Sequence, residues 1–164
     1  GNILWMRKLR RSIKNRMRND NARQKEQLQR MKQLAKDGRC FFCRKNYLAV
    51  KASPAIYESG HWYEKKNDFP YPGSAHHYLI VYKKHVTKPT RLNKTSWSEL
   101  LKTIGWLEKY TGVSGYSVFV RSGDMLYTGA TIDHLHFHFL VGGPKKKNGR
   151  IKDNILVTLG HKKK

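Results

Sequence analysis

Three histidines alternate with three large apolar residues in the segment His134-Leu135-His136-Phe137-His138-Phe139, and this alternation constrains the fold more than any other feature of the chain. Successive side chains of a β-strand point to opposite faces, so His134, His136 and His138 would share one face and the apolar residues the other. A strand with three solvated histidines is the plain alternative. Because all three are in register, we predict instead a strand with one core face and one chemically active face.

The flanking sequence predicts an α+β domain with an antiparallel sheet of about five strands and a packed helix. The helix should begin at Ser96, with Glu99 completing a capping box, and end at Gly112. The order along the chain is strand, strand, helix, strand, strand. The strand-like segments are residues 55–58, 78–81, 116–120 and 132–141.

Positive charge is concentrated at both ends of the chain. The 164 residues include 34 Lys and Arg against 11 Asp and Glu, a formal net charge of +23. Residues 1–39 hold 13 basic and 3 acidic side chains, residues 40–143 hold 13 and 7, and residues 144–164 hold 8 and 1. Residues 6–36 contain neither Gly nor Pro and are rich in good helix formers. The predicted organisation is therefore a basic helical extension (1–39), a domain (40–143) and a basic C-terminal tail (144–164).

Two interpretations of the basic extension remain open. Its narrow apolar stripe would pack on the domain or on another chain, or its Arg and Lys side chains would neutralise the phosphates of DNA or RNA. No apolar run approaches the ~20 residues of a membrane span, and no signal peptide is evident. We expect a cytoplasmic protein that associates with nucleic acid and not with membranes.

Cys40 and Cys43 have the C-x2-C spacing of half a structural zinc site, and His85 and His134 could complete a tetrahedral ligand set. Two cysteines alone leave other interpretations open. One is a disulfide or redox pair, which is uncommon in an intracellular chain. Another is a pair of reduced cysteines buried by the two phenylalanines between them.

The histidine segment, introduced by Gly129-Ala130-Thr131, resembles the active-site signature of the histidine triad superfamily. That superfamily includes nucleoside phosphoramidases, dinucleoside polyphosphate hydrolases, aprataxin and galactose-1-phosphate uridylyltransferase. Asn67-Asp68-Phe69-Pro70-Tyr71, followed by residues 77–86, is similar to the family's nucleoside-binding turn and the strand after it. The Cys pair and residues 115–121 also have counterparts, so the resemblance covers about residues 40–143.

The resemblance implies a nucleotide hydrolase or nucleotidyltransferase that acts at the α-phosphate of an adenylylated or dinucleoside-polyphosphate-type substrate. His136 would be the nucleophile and form a nucleotidyl-histidine, because a neutral imidazole is a good nucleophile near pH 7. It also implies zinc at the Cys pair and a homodimer. The other residues implied in catalysis are His138 and His134, and those implied in substrate or phosphate binding are His77, Thr131, Arg121, Asn67 and Asp68.

One departure from the family pattern bears on the substrate. Arg121 stands where the family usually has Asn or Gln, and its guanidinium suits a more anionic leaving group. An aprataxin-like enzyme that removes adenylate from nucleic-acid ends would combine this feature with the basic termini. The alternative is a nucleic-acid-binding structural or ribonucleoprotein component that uses the triad domain as a scaffold, since a fold does not prove an activity.

Overall fold

The computed structural model describes residues 25–47 and 52–163. The strands are β1 (Ala55–Glu58), β2 (Trp62–Lys66), β3 (His76–Tyr82), β4 (Ser117–Val120) and β5 (His136–Val141). The helices are α1 (Lys25–Asp37), α2 (Arg44–Tyr47), α3 (Lys94–Thr111) and α4 (Met125–Thr128). The strands form one antiparallel sheet in the order β1-β2-β3-β5-β4. The predicted α+β class, with about five strands and a packed helix, is confirmed.

Strand β2 is absent from the predicted strand segments. Three of its five residues are charged, and a strand pattern normally alternates apolar with polar residues. Two of these charged residues, Glu64 and Lys65, are nevertheless buried between β1 and β3. Strand β5 is also shorter than predicted, because the ladder begins at His136 and not at residue 132. His134 lies just before the strand.

The alternation in β5 separates two buried clusters, one on each face of the sheet. On the helix face, Phe137 and Phe139 pack with Trp62, Ile80 and the inner side of α3. On the site face, opposite, His136 and His138 lie across the ladder from Val81 and Leu79. The site-face cluster brings the Cys40–Cys43 turn against Tyr63, Leu79 and Val81. The predicted separation into a core face and a histidine face is confirmed for these two histidines.

The predicted start of the long helix is wrong by three residues. Asn93 is the N-cap of α3, and its side chain accepts a hydrogen bond from the Ser96 amide at 2.8 Å. Asn is as good an N-cap as Ser, so the helix can begin earlier. Glu99 consequently binds the β1–β2 turn, where it accepts from the His61 amide at 2.8 Å. Gly112 ends the helix in the left-handed conformation, as predicted.

Both ends of the described chain contact the domain. Arg30 of α1 forms an ion pair with Asp68 at 2.6 Å, and the carbonyl of Thr158 accepts a hydrogen bond from Arg121 at 2.8 Å. Helix α1 matches the C-terminal part of the helix predicted over residues 6–36 and extends one residue beyond it, while residues 6–24 lie outside the described residues. Among the residues described, no helix is long and apolar enough to cross a membrane.

Candidate active site

His136 is oriented by a hydrogen bond to the backbone two residues earlier. Its Nδ1–H donates to the carbonyl of His134 at 2.6 Å. A neutral ring has one proton, so Nε2 keeps a free lone pair, and the residue lines a pocket on the site face. Burial lowers the pKa of His136 to about 4, and the nearby charges of Arg121 and Lys65 also lower it. The ring is therefore neutral at pH 7 and presents an unprotonated nitrogen.

The protons of His77 and His138 follow from their hydrogen bonds. The Tyr71 amide donates to Nδ1 of His77 at 3.1 Å, so the proton of the His77 ring is on Nε2. That Nε2 lies 2.9 Å from Nδ1 of His138 and donates to it. His138 must then carry its own proton on Nε2. His138 lines the pocket. The face of its ring stacks on Phe119, with 4.5 Å between the ring centroids.

Arg121 follows β4 directly and is only 7% exposed. Its Nη1 lies 3.1 Å from Nε2 of His138, while Nη2 donates to the Tyr71 hydroxyl and to the Thr158 carbonyl. Its Nε has no partner among the described residues. Because Nη1 is always a donor, a proton on Nε2 of His138 opposes it at 3.1 Å, and an acceptor oxygen between the two groups would relieve this opposition. Buried donors are normally paired, so the oxygen atoms of an anion such as phosphate would complete this arrangement.

The other end of the pocket is held by Asp68. Its carboxylate accepts hydrogen bonds from Lys65 at 2.8 Å, from Arg30 at 2.6 Å and from the Ser53 amide and hydroxyl at 2.9 and 2.5 Å. Burial alone would raise the pKa of Asp68, but the bonds from Lys65 and Ser53 outweigh it and hold the pKa at about 2. The Arg30 guanidinium also lies 5.0 Å from the centre of the Phe69 ring. Asp68 therefore organises this wall of the pocket.

Asn67 and Thr131 line the same pocket. The Asn67 side-chain oxygen accepts from the Phe69 amide at 3.1 Å, and its amide group donates to Nδ1 of His77 at 3.3 Å. Thr131 follows the left-handed turn at Gly129, which has a φ of 68°. A small hydroxyl side chain is thus brought to the lining of the pocket.

A second cluster lies beside the pocket, at the Cys40–Cys43 turn. Cys40, Cys43, His85 and His134 each place one ligand atom within 4.8 Å of the others. His134 donates its Nε2–H to the Tyr82 carbonyl at 2.6 Å. Its Nδ1 faces the sulfurs of Cys40 at 3.2 Å and of Cys43 at 3.8 Å.

This donor set fits Zn²⁺. Tetrahedral zinc with two thiolates and two imidazoles places its ligand atoms about 3.3–3.8 Å apart. Burial, together with the adjacent Cys43, raises the pKa of Cys40 to about 12, so a bound cation would be needed to stabilise the thiolate. Burial lowers the pKa of His134 to about 3, which keeps the ring neutral, as a ligand must be. Both cysteines are free thiols, and no disulfide joins them.

The structure brings most of the predicted site residues together, with two differences. His77 lies behind His138 and contacts that ring, whereas a phosphate-side position was predicted. Two roles were predicted for His134, and its ring lies in the cysteine cluster and not along the pocket. The predicted residues that line the pocket are His136, His138, Thr131, Arg121, Asn67 and Asp68.

Sequence reasoning missed four participants: Tyr71, Lys65, Arg30 and Thr158. Tyr71 stacks on His77 at 5.0 Å and its hydroxyl binds Arg121. It lies inside the segment that resembles the nucleoside-binding turn, so that signal could have found it. The other three are brought to the site by contacts between distant parts of the chain, for which the sequence carries no local pattern.

Solved structures with this fold share its architecture. A histidine triad protein from Clostridium difficile has a TM-score of 0.51 and 24% identity, over 68% of this chain and 96% of its own. A HIT family hydrolase from Clostridium thermocellum has a TM-score of 0.51 and 26% identity, over the same two shares. A Zn-bound histidine triad family protein from Mycobacterium smegmatis has a TM-score of 0.50 and 18% identity, over 67% of this chain and 79% of its own.

No protein-family model matches the sequence, and no curated protein sequence matches it. The likeness therefore lies in the fold. The chain has the fold of the histidine triad proteins, and a HIT family hydrolase of that fold is 26% identical to it. Its fold is one that HIT family hydrolases use.

Proposed function

We propose that the protein is a nucleotide hydrolase or nucleotidyltransferase that acts at an α-phosphate through a nucleotidyl-histidine on His136. The observation that carries this proposal is the neutral, oriented His136 ring beside the converging N–H groups of His138 and Arg121. A nucleophile with a free lone pair and preorganised donors for phosphate oxygens are the two parts that such chemistry requires.

The first half-reaction forms the intermediate. Nε2 of His136 attacks the α-phosphorus, and the bond from phosphorus to the leaving-group oxygen breaks. The departing phosphate oxygen leaves as an anion, which the N–H groups of Arg121 and His138 stabilise. The new phosphorus–nitrogen bond leaves the His136 ring positively charged, and the His134 carbonyl, which accepts from Nδ1–H, stabilises that charge.

The second half-reaction resolves the intermediate. Water attacks the same phosphorus, and its proton passes to solvent from the acidic phosphate group that forms. The phosphorus–nitrogen bond breaks and its electrons return to Nε2 of His136. Each group ends as it began, and the products are a nucleoside monophosphate and the free leaving group. A second nucleophile in place of water would make the reaction a transfer.

For the substrate we propose an adenylylated molecule or a dinucleoside polyphosphate, with an anionic leaving group beside Arg121. The apolar side of the pocket, which Phe41, Phe42 and Phe69 line, would take the nucleoside. We further propose that the basic N-terminal extension and C-terminal tail associate the enzyme with DNA or RNA, as an aprataxin-like activity on nucleic-acid ends requires. Counterion release makes such binding strong at low salt.

The test is a panel of adenylates with a labelled adenylate moiety: an adenylylated nucleic-acid end, a dinucleoside polyphosphate and a phosphoramidate. Rapid quenching should trap labelled AMP on the protein, and peptide mapping should locate it on His136. The matched control is His161→Ala, which removes an exposed histidine outside the site. Turnover of no adenylate in the panel, with no protein-bound AMP, would contradict the proposal.

We also propose a bound zinc ion and a homodimer. Zinc would be held by Cys40, Cys43, His85 and His134 and would fix the turn that carries Phe41 and Phe42 against the pocket.

The dimer is supported by large apolar side chains that are exposed on and after α3, and sedimentation at several concentrations tests it. These side chains are Trp97, Leu101, Tyr110 and Tyr116, of which Trp97 is 41% exposed.

A second candidate function is a nucleic-acid-binding component that uses the domain as a scaffold. Its support is the distribution of charge, since residues 1–39 and 144–164 hold 21 of the 34 basic side chains. This candidate predicts tight, salt-dependent binding of DNA or RNA by a protein that turns over none of the adenylates. The same panel therefore separates the two functions.

A further inference from the structure

Residues 155–160, which we call the C-terminal strap, lie against the domain beside Arg121. Ile155 packs over two glycines: a Cβ at Gly142 would lie 3.3 Å from its Cδ1, and one at Gly73 would lie 3.9 Å from its Cγ1. At the far end of the strap, a Cβ at Gly160 would collide with the carbonyl oxygen of Tyr127. The strap is therefore packed against the domain at both of its ends, through the Ile155 side chain at one end and through backbone contact at Gly160 at the other.

Between these ends the strap meets the active site. The Thr158 carbonyl accepts a hydrogen bond from Nη2 of Arg121 at 2.8 Å, and a Cβ at Gly129 would lie 3.2 Å from the same oxygen. Gly129 has a φ of 68° and begins the Gly129-Ala130-Thr131 turn that lines the pocket. The strap therefore touches both the guanidinium and the turn on the phosphate side of the pocket.

The hydrogen bonds of Arg121 show what this contact does. The two protons of Nη2 are taken by the Tyr71 hydroxyl and the Thr158 carbonyl. This directs Nη1 toward His138 and leaves Nε without a partner among the described residues. Without the Thr158 carbonyl, one buried Nη2 proton would lose its acceptor, and the guanidinium would rotate to recover one. A planar five-donor group needs an anchor on one side to present the other side to a ligand.

From this geometry we infer that the C-terminal strap supports the active site from behind Arg121 and that the Thr158 carbonyl is a positioning group, which fixes Arg121 toward the substrate phosphate. The inference rests on the proposed function for its consequence in catalysis. Residues 155–160 thus have a role different from that of the rest of the basic tail. They act through packing and through the hydrogen bond of a backbone carbonyl, and not through positive charge.

The experiment compares Gly160→Ala with Gly143→Ala in the full chain. A Cβ at Gly160 meets the Tyr127 carbonyl and the backbone there has a φ of +130°, whereas a Cβ at Gly143 has nothing within 4 Å. We expect Gly160→Ala to weaken AMP binding by about tenfold, measured by calorimetry, which is typical of a lost charge-assisted hydrogen bond. Gly143→Ala should bind as the wild type does.

A double-mutant cycle shows whether the strap acts through Arg121. Arg121→Ala should weaken binding at least as much as Gly160→Ala, and the combined variant should be no weaker than Arg121→Ala alone. Additive losses, or wild-type affinity in Gly160→Ala, would overturn the inference. If Gly160→Ala does not fold, a chain that ends at Asn154 takes its place in the same cycle.

A measurement without substrate separates this inference from the proposed function. The Nε–H of Arg121 should give a protected NMR signal in the wild type, and Gly160→Ala should shift it and speed its exchange with solvent. An unchanged signal refutes the positioning role, even if AMP binds. A wild-type protein that neither binds AMP nor cleaves adenylates refutes the proposed function, even if the signal responds.

Discussion

The two faces of the central sheet treat buried polar groups in opposite ways. On the site face, Lys65 is almost fully buried, yet its ammonium pairs with Asp68 at 2.8 Å. On the helix face, the adjacent residue Glu64 is completely buried, and neither carboxylate oxygen has a hydrogen-bond partner among the described residues. These two charged residues are adjacent on one strand and point to opposite faces of the sheet.

The comparison shows where polar groups serve a ligand and where they cost stability. The site face leaves donors on Arg121 and His138 directed into a pocket, where a substrate can satisfy them. The helix face has no such use for Glu64, which lies in the core beneath α3. Changes on the site face should therefore affect activity or metal binding, and the change of Glu64 should affect only stability.

The largest expected effect is that of His136→Ala on the site face. Removal of the nucleophile should lower the rate of adenylate hydrolysis by at least about a thousandfold and abolish the trapped AMP. Thermal unfolding should change little, because the variant keeps the β5 ladder and the opposite core. Hydrolysis at the wild-type rate would exclude His136 as the nucleophile.

Zinc removal is the next test, and it concerns stability on the site face. Purified protein should contain about one zinc per chain, and chelation should lower the thermal midpoint, since metal binding contributes several kcal/mol to folding. His85→Ala should lose zinc and stability, while His161→Ala should keep both. Protein prepared without chelators that contains no zinc would remove this claim and leave the triad chemistry intact.

The sequence predicted the histidine strand and the fold class because both rest on local periodicity. It did not predict β2, since the burial of Glu64 and Lys65 depends on neighbours that are distant in sequence. The start of α3 depended on a choice between two good capping residues, Asn93 and Ser96, which local chemistry does not decide. Arg30 reaches the pocket, and Thr158 reaches Arg121, only through tertiary packing, so no local pattern marks them.

Glu64→Gln tests the helix face. Burial raises the pKa of Glu64 from 4.5 to about 8, so between these pH values the folded state holds a proton that the unfolded state releases. The free energy of unfolding should therefore fall as pH rises through this window and level off above about pH 8. Glu64→Gln cannot ionise, so it should flatten this dependence and stabilise the protein at pH 8 by about 1–3 kcal/mol.

Chemical denaturation of both proteins at pH 5, 6, 7 and 8 measures the effect, with the exposed Glu26→Gln as the control for loss of one negative charge. Glu26→Gln should keep the wild-type pH dependence. Adenylate hydrolysis by Glu64→Gln should match that of the wild type. A Glu64→Gln protein that keeps the slope, or that loses activity, would break the division between the two faces.

The smallest expected effect concerns charge outside the sheet. Replacing Lys145, Lys146 and Lys147 by Gln should weaken nucleic-acid binding and make its salt dependence less steep. Each phosphate contact contributes about 0.9 to the slope of log K against log salt on duplex DNA, so the slope should fall by up to about 2.7.

The matched control removes three exposed lysines of α3, Lys94, Lys102 and Lys109, with the same change in net charge. If the tail binds nucleic acid, the tail variant loses more affinity and more slope than the α3 variant, while both cleave small adenylates normally. Equal losses in the two variants would mean that the overall charge of the protein, and not the tail, attracts the polyanion.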